Sequence, residues 1–107
     1  MKKLLKQILL WLSTNPPKYK FVLCLWEDAN SDSSWNELST IEQMLPTICM
    51  SVGFVINKTK DSFILASDFT TDLKNGKYVI AEAGNTMVIP TKNVLKIVPI
   101  PLKIQAK

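Results

Sequence analysis

The chain has no histidine and no arginine, so all thirteen of its basic residues are lysine. Without histidine it lacks the commonest general base, proton shuttle and zinc ligand. Without arginine it lacks the forked donor that reads guanine edges and clamps phosphates in a fixed geometry, which disfavours sequence-specific DNA recognition. Glycine is sparse, with three residues in 107, and no glycine-rich phosphate loop is present. Cysteine is limited to Cys24 and Cys49, each within an apolar, strand-like run. Two free thiols in a reducing compartment are the simpler reading, and a disulfide is the alternative.

A chain of 107 residues with 47% hydrophobic content has the apolar surface for one core and is too short for two. Its net charge of +4 is unevenly spread. Residues 1–20 carry five lysines and no acid, and residues 92–107 carry four lysines and no acid. Between them Glu27, Asp28, Asp32, Glu37 and Glu42 form an acidic stretch, with no lysine from Phe21 to Asn57. A phosphate- or nucleic-acid-binding surface is therefore expected at the termini or the later loops. The alternative is solvated charge that only maintains solubility.

The opening MKKLLKQILLWLSTNPP has a basic start followed by leucines. Its apolar run from Ile8 to Leu12 is far short of the roughly 20 residues needed to span a bilayer. Lys6 and Gln7 interrupt it, and no small-x-small cleavage site precedes Pro16-Pro17, which argues against a signal peptide. Leu4, Leu5, Ile8, Leu9, Trp11 and Leu12 recur with helical spacing, opposite Lys2, Lys3, Lys6 and Gln7. An amphipathic helix over 1–15 is expected, ended by the prolines. It has three possible supports: the end of the main domain, a neighbouring subunit, or a membrane surface.

The body, 18–101, reads as a single β domain, followed by a basic tail at 102–107. The segment Lys18–Trp26 alternates, with Tyr19, Phe21, Leu23 and Leu25 on one side and Lys20, Val22, Cys24 and Trp26 on the other. Trp35–Leu45 is expected to be a short helix, with Ser33 or Ser34 as cap and Pro46 as stop. A second strand, Thr47–Ile56, carries Ile48, Met50, Val52, Phe54 and Ile56 on its more hydrophobic face, which places Gly53 on the other. A glycine inside a strand marks a sharp bend or a close approach of another backbone. SFILAS follows, then an irregular piece with the turn signal Asn75-Gly76 and a candidate strand at Tyr78–Ala81, then NTMVIP, a turn through Thr91-Lys92-Asn93, and VLKIVPI. This succession predicts a mainly β fold, a small five-stranded Sm-like or SH3-like barrel with an amino-terminal helix.

The residues Trp26-Glu27-Asp28, Trp35, Ser51-Val52-Gly53-Phe54 and Ile89-Pro90 resemble a recurrent pattern in small uncharacterised proteins of bacteriophages and prophages. The match covers roughly residues 19–100 and implies a viral origin, a barrel-like fold and the cytoplasm of a bacterial host. The later half is also similar to Sm-type proteins, whose rings bind RNA through two loops. By position these are Asn57–Asp61 and Thr91–Asn93, although Lys92-Asn93 stands where that family has an arginine-glycine pair.

The candidate ligand-binding residues are Trp26, Asp28, Trp35, Lys58, Lys60, Lys92 and Asn93. Tryptophan stacks on a base, a carboxylate accepts hydrogen bonds from ribose or a base edge, and loop lysines hold phosphate. The competing reading is that the tryptophans pack in a core and the lysines are solvated. No spacing sets a nucleophile beside an activator, so no enzyme, cofactor or metal is expected. Three functions follow as expectations. The first is an oligomeric phage protein capturing a nucleotide-type ligand such as a host immune signal. The second is a single-stranded nucleic-acid binder. The third is a module that blocks a host protein through the acidic Glu27–Glu42 surface or the helix.

Overall fold

A computed structural model of the protein describes residues 1–14 and 18–103. The helix stop at Pro16-Pro17 and most of the basic tail at 102–107 lie outside the described residues. The chain is mainly β, with one long helix, α1 (Lys2–Thr14), ahead of five strands: β1 (Phe21–Asp28), β2 (Thr47–Lys58), β3 (Ser62–Lys74), β4 (Lys77–Pro90) and β5 (Val94–Pro99). A single turn of helix, α2 (Leu38–Ile41), lies between β1 and β2, and a 3-10 turn (Thr91–Asn93) leads into β5.

All five strands join one antiparallel sheet in the order β4-β3-β2-β1-β5. The sheet is open, since no ladder joins β4 to β5 among the described residues. β1 occupies an interior position, with Cys24 opposite Ser51 on one side and Ile97 on the other. Val22 and Cys24 are fully buried with Phe63, Leu65 and Ile89, and Trp26, Val55, Val94 and Ile97 pack around them. The core therefore lies on the side of the sheet that carries Val22, Cys24 and Trp26.

That placement settles which face of β2 is buried. Its more hydrophobic face is the solvent face: Ile48, Met50 and Val52 are 55%, 72% and 49% exposed. Gly53 is buried on the core side, opposite Val22. The reason is steric, because a Cβ at Gly53 would lie 3.0 Å from the Ala66 carbonyl oxygen. Glycine permits the β3 backbone to approach β2 there, and beyond the Phe54–Ala66 pair the two strands no longer share a ladder.

β3 and β4 continue past this point as a two-stranded ribbon: the candidate strand at Tyr78–Ala81 belongs to β4, and the rest of the segment expected to be irregular is regular structure as well. Asn75 (φ 52) and Gly76 (φ 77) both take left-handed backbone conformations, and Lys74 pairs with Lys77 across them. This is the two-residue hairpin turn favoured by Asn-Gly. Asn85 (φ 52), whose side-chain amide donates to the Asp68 carboxylate, marks where the ribbon departs from the sheet. Trp11 of α1 meets Tyr78 of the ribbon edge-on, with ring centroids 6.4 Å apart. Phe69 joins Phe54, Phe21 and Tyr19 in an aromatic row on the solvent side of the sheet, with successive centroids 4.9–5.7 Å apart.

The helix expected over Trp35–Leu45 is reduced to Leu38–Ile41, with Glu37 at its amino end and no side-chain cap. Ser34 is engaged elsewhere, its hydroxyl and amide both donating to Asp32. One turn of helix has no further length over which to recover the cost of nucleation. Among the described residues no helix is long and apolar enough to cross a membrane.

Candidate functional site

The core side of β1 continues, beyond the end of its apolar residues, into two lysines. Lys20 alternates onto the side of Val22, Cys24 and Trp26, and Lys18 lies in the bend that precedes β1. The Lys20 carbonyl accepts a hydrogen bond from the Val55 amide at 2.8 Å, which ties this segment to β2.

A third lysine arrives through an irregularity. The β2–β3 register shifts between Val55 and Asn57, so that Val55 opposes Leu65 and, three residues on, Lys58 opposes Phe63. In an unbroken strand residues 55 and 58 would face opposite sides. The extra residue, Ile56, restores Lys58 to the side of Val55 and Phe63, a re-aiming that β-bulges commonly produce. Lys18, Lys20 and Lys58 thereby border one groove of about 410 Å³ whose floor is Val22, Val55, Phe63 and Ile97, with Tyr19 and Pro99 at its edges. No carboxylate lines it. Lys18 Nζ lies 5.1 Å from the centre of the Tyr19 ring. The arrangement offers point positive charges over an apolar floor. It suits an anion that also carries a flat or aliphatic part.

Next to the groove, the two loops Asn57–Asp61 and Thr91–Asn93 are joined directly. The Thr91 amide donates to the Asp61 carbonyl at 3.0 Å, and the Thr91 hydroxyl donates to the Thr59 carbonyl at 3.0 Å. The first loop is closed on itself by Thr59 N–H to the Ser62 carbonyl at 2.8 Å and Ser62 N–H to the Thr59 hydroxyl at 3.0 Å. Lys58, Lys60, Lys92 and Asn93 thus belong to one hydrogen-bonded rim. Of these, Lys58 reaches the groove, and Lys60 and Lys92 are exposed outside it.

The candidate tryptophans Trp26 and Trp35 are not brought together. Trp26 is half-buried against the core, and its indole N–H donates to the Ser51 hydroxyl at 3.0 Å. Trp35 lies fully exposed in the β1–β2 connection. Asp28 ends β1, where its carboxylate accepts the Ala29 amide at 2.9 Å. Neither tryptophan nor Asp28 lines the groove. Lys18, Tyr19 and Lys20 were not among the residues singled out from the sequence, although the alternation already set Lys20 in line with Val22. The bulge that turns Lys58 inward has no counterpart in the residue pattern.

Among the described residues no group of three or more cysteine or acidic side chains gathers as a metal site. Cys24 and Cys49 are free thiols, and burial pushes the Cys24 thiol pKa up. In the β1–β2 connection, Asp32 is held below the usual carboxylate range by hydrogen bonds from the Ser34 hydroxyl, the Ser34 amide and the Asn36 side chain. The chain matches no known protein-family model, no curated protein and no solved structure.

Proposed function

We propose that this chain is a non-enzymatic binding protein that holds a small phosphate-bearing ligand of the nucleotide type in the groove bordered by Lys18, Lys20 and Lys58. The observation that carries this reading is the convergence of three lysines, with no carboxylate, over an apolar floor. Lysine ammoniums hold phosphate as point charges, and the floor of Val22, Val55, Phe63 and Ile97 takes the uncharged part of the ligand. The groove volume of about 410 Å³ falls within the range of small-molecule sites. The likeness of the Trp26–Asp28, Ser51–Phe54 and Ile89-Pro90 motifs to phage proteins extends the reading to sequestration of a host nucleotide immune signal. In the same reading the sheet is a small barrel of the Sm or SH3 type. The interior position of β1 between β2 and β5, and the close approach at Gly53, support this.

Calorimetric titration with a panel of linear and cyclic nucleotides tests the proposal, with the matching nucleosides as uncharged controls. Binding of a nucleotide but not its nucleoside, lost on Lys58→Glu, is the expected result. Absence of binding across the panel removes the proposal.

A second reading, a single-stranded nucleic-acid binder, is favoured by the hydrogen bonds of Thr91 to Asp61 and Thr59, which put Lys58, Lys60 and Lys92 on adjoining loops. Its signature is a steep fall of affinity with salt, as lysine–phosphate contacts release counterions. Short single-stranded RNA and DNA that fail to bind at low salt exclude it.

A further inference from the structure

The concave surface does not end with the groove bordered by Lys18, Lys20 and Lys58. A second groove, of about 390 Å³, adjoins it and shares Lys18, Tyr19, Lys20 and Pro99 as lining. The two part company at the start of β1. Val22 lines the first and Phe21 lines the second, and successive residues of a strand point to opposite faces. Lys18 and Lys20, which lead into β1, therefore stand where the grooves meet, with an apolar arm on either side.

The chain that leaves β5 walls the second arm. The Ile100 amide donates to the Phe21 carbonyl at 2.8 Å, which carries the β1–β5 pairing one step past Val22 and Pro99. Pro99 and Pro101 flank Ile100; their rings fix φ and hold the residues before them extended, so the wall is stiff before any ligand arrives. Leu102 completes it. Each arm offers an aromatic ring, Phe63 in the first and Phe21 in the second, with Tyr19 at the junction. Among the described residues no carboxylate lines either arm. A ligand that matches this surface has its anionic charge in the middle and a flat, uncharged group at each end. Lysine supplies point charge for phosphate, and aromatic faces accept bases. A mononucleotide would fill one arm and leave the other in water.

We propose, resting on the reading of the first groove as a nucleotide site, that the two grooves form one two-armed site for a dinucleotide. The bridging phosphate or pyrophosphate lies on Lys18 and Lys20, and each arm takes one nucleoside. Because the two halves of the ligand are joined, the second contact is intramolecular and adds affinity at little further entropic cost.

Calorimetric titration of the full chain provides the test, with mononucleotides of each base and the matching dinucleotides, cyclic and linear, joined by phosphodiester or pyrophosphate. The same titrations are run on Leu102→Asn. That substitution takes an apolar wall from the second groove without adding charge, at a position that is 46% exposed and outside the first groove. A dinucleotide is expected to bind at least about tenfold more tightly than the best mononucleotide. Leu102→Asn is expected to cancel most of that advantage and to leave mononucleotide affinity unchanged. Mononucleotide binding with no dinucleotide advantage overturns the two-armed site and leaves the first groove standing alone. Equal loss of both ligands in Leu102→Asn, or loss of neither, overturns it as well. A single-stranded tetranucleotide that binds more tightly than any dinucleotide overturns it in favour of a strand-binding surface. Absence of binding across both ligand classes removes the nucleotide reading itself, and the two-armed site with it.

Discussion

The Gly53 backbone passes so near Ala66 that a Cβ on Gly53 would sit 3.0 Å from the Ala66 carbonyl oxygen and 3.4 Å from the Leu65 Cβ. The obstacle is backbone held in the β2–β3 ladder, where Phe54 pairs with Ala66, so it cannot swing aside as a flexible side chain would. Gly53→Ala is therefore expected to destabilise the fold by about 1–3 kcal/mol, the range for overpacking a close-packed site. Gly84→Ala is the control, since nothing lies within 4 Å of the added methyl. It should be neutral or stabilise slightly by reducing the freedom of the unfolded chain. Chemical denaturation of the two variants beside the wild type checks the contrast.

Two of the three tryptophans, Trp26 and Trp35, should separate cleanly under mutation. Trp26→Ala removes a side chain packed on the core and is expected to cost about 3–5 kcal/mol, the range for large aromatic truncations. Trp26→Phe keeps most of the packing but loses the hydrogen bond to Ser51, a loss of about 1 kcal/mol. Trp35→Ala, at a fully exposed position, should leave the denaturation midpoint unchanged within about 0.5 kcal/mol. Quenching by acrylamide should report one freely accessible indole that disappears in Trp35→Phe.

Groove affinity should depend on which lysine is removed rather than on how many remain. Lys58→Ala is expected to weaken nucleotide binding about tenfold, equivalent to ~1.4 kcal/mol. Lys60→Ala, two residues away and outside the groove, should change it by less than about threefold, in the range of a rim charge acting at a distance. Equal losses at the two sites would place the ligand on the loop rim instead.

Thiol chemistry should be staged. Cys24 is fully buried and its pKa is raised by that burial, which keeps it as the unreactive thiol at neutral pH. Cys49 is partly exposed. A chromogenic disulfide reagent is expected to titrate Cys49 in the folded protein and Cys24 only after denaturant is added. Simultaneous reaction of both would show that the β1 core opens under native conditions.

Acid should loosen the β1–β2 connection before it unfolds the sheet. The native pKa of Asp32 is depressed by its hydrogen bonds with Ser34 and Asn36. Its ionised form is therefore favoured by the fold: the contribution is complete above the unfolded value of about 3.9 and is lost as pH falls through the lower native value. The amide signal of Ser34 should shift over that acidic window, while the amides of β1 and β2 hold. Asp32→Asn should remove the pH dependence from the Ser34 signal.

Much of the strand order could be read from residue alternation, because Lys18–Trp26, the start of β2 at Thr47 and the final VLKIVPI are periodic over several residues. The Asn75-Gly76 turn was legible for a local reason as well: two consecutive left-handed residues suit a tight hairpin. The strand that leads into that turn was not. Thr70, Thr71, Asp72 and Lys74 are polar on both sides, and only their pairing with Glu82, Ile80, Val79 and Lys77 makes them a strand. The buried face of β2 is not legible from hydrophobicity, because Ile48, Met50 and Val52 stand exposed while Gly53 lies inside, where the Ala66 backbone approaches it. At the groove, Lys20 follows from alternation, but the place of Lys18 depends on the bend before β1, and the inward turn of Lys58 on a bulge set by pairing between strands.

The interior place of β1 also fixes the order in which the fold can be completed. The β3–β4 ribbon closes across two residues, so it forms from contacts near in sequence and on the microsecond scale of hairpins. β1 instead joins β5 across more than half the chain, with Cys24 meeting Ile97. Such distant pairings are slow, because the intervening chain must be ordered first. During synthesis one edge of β1 stays without its partner until Val94–Pro99 has left the ribosome. For that interval the strand that carries Val22, Cys24 and Trp26 presents its backbone to any other extended chain nearby.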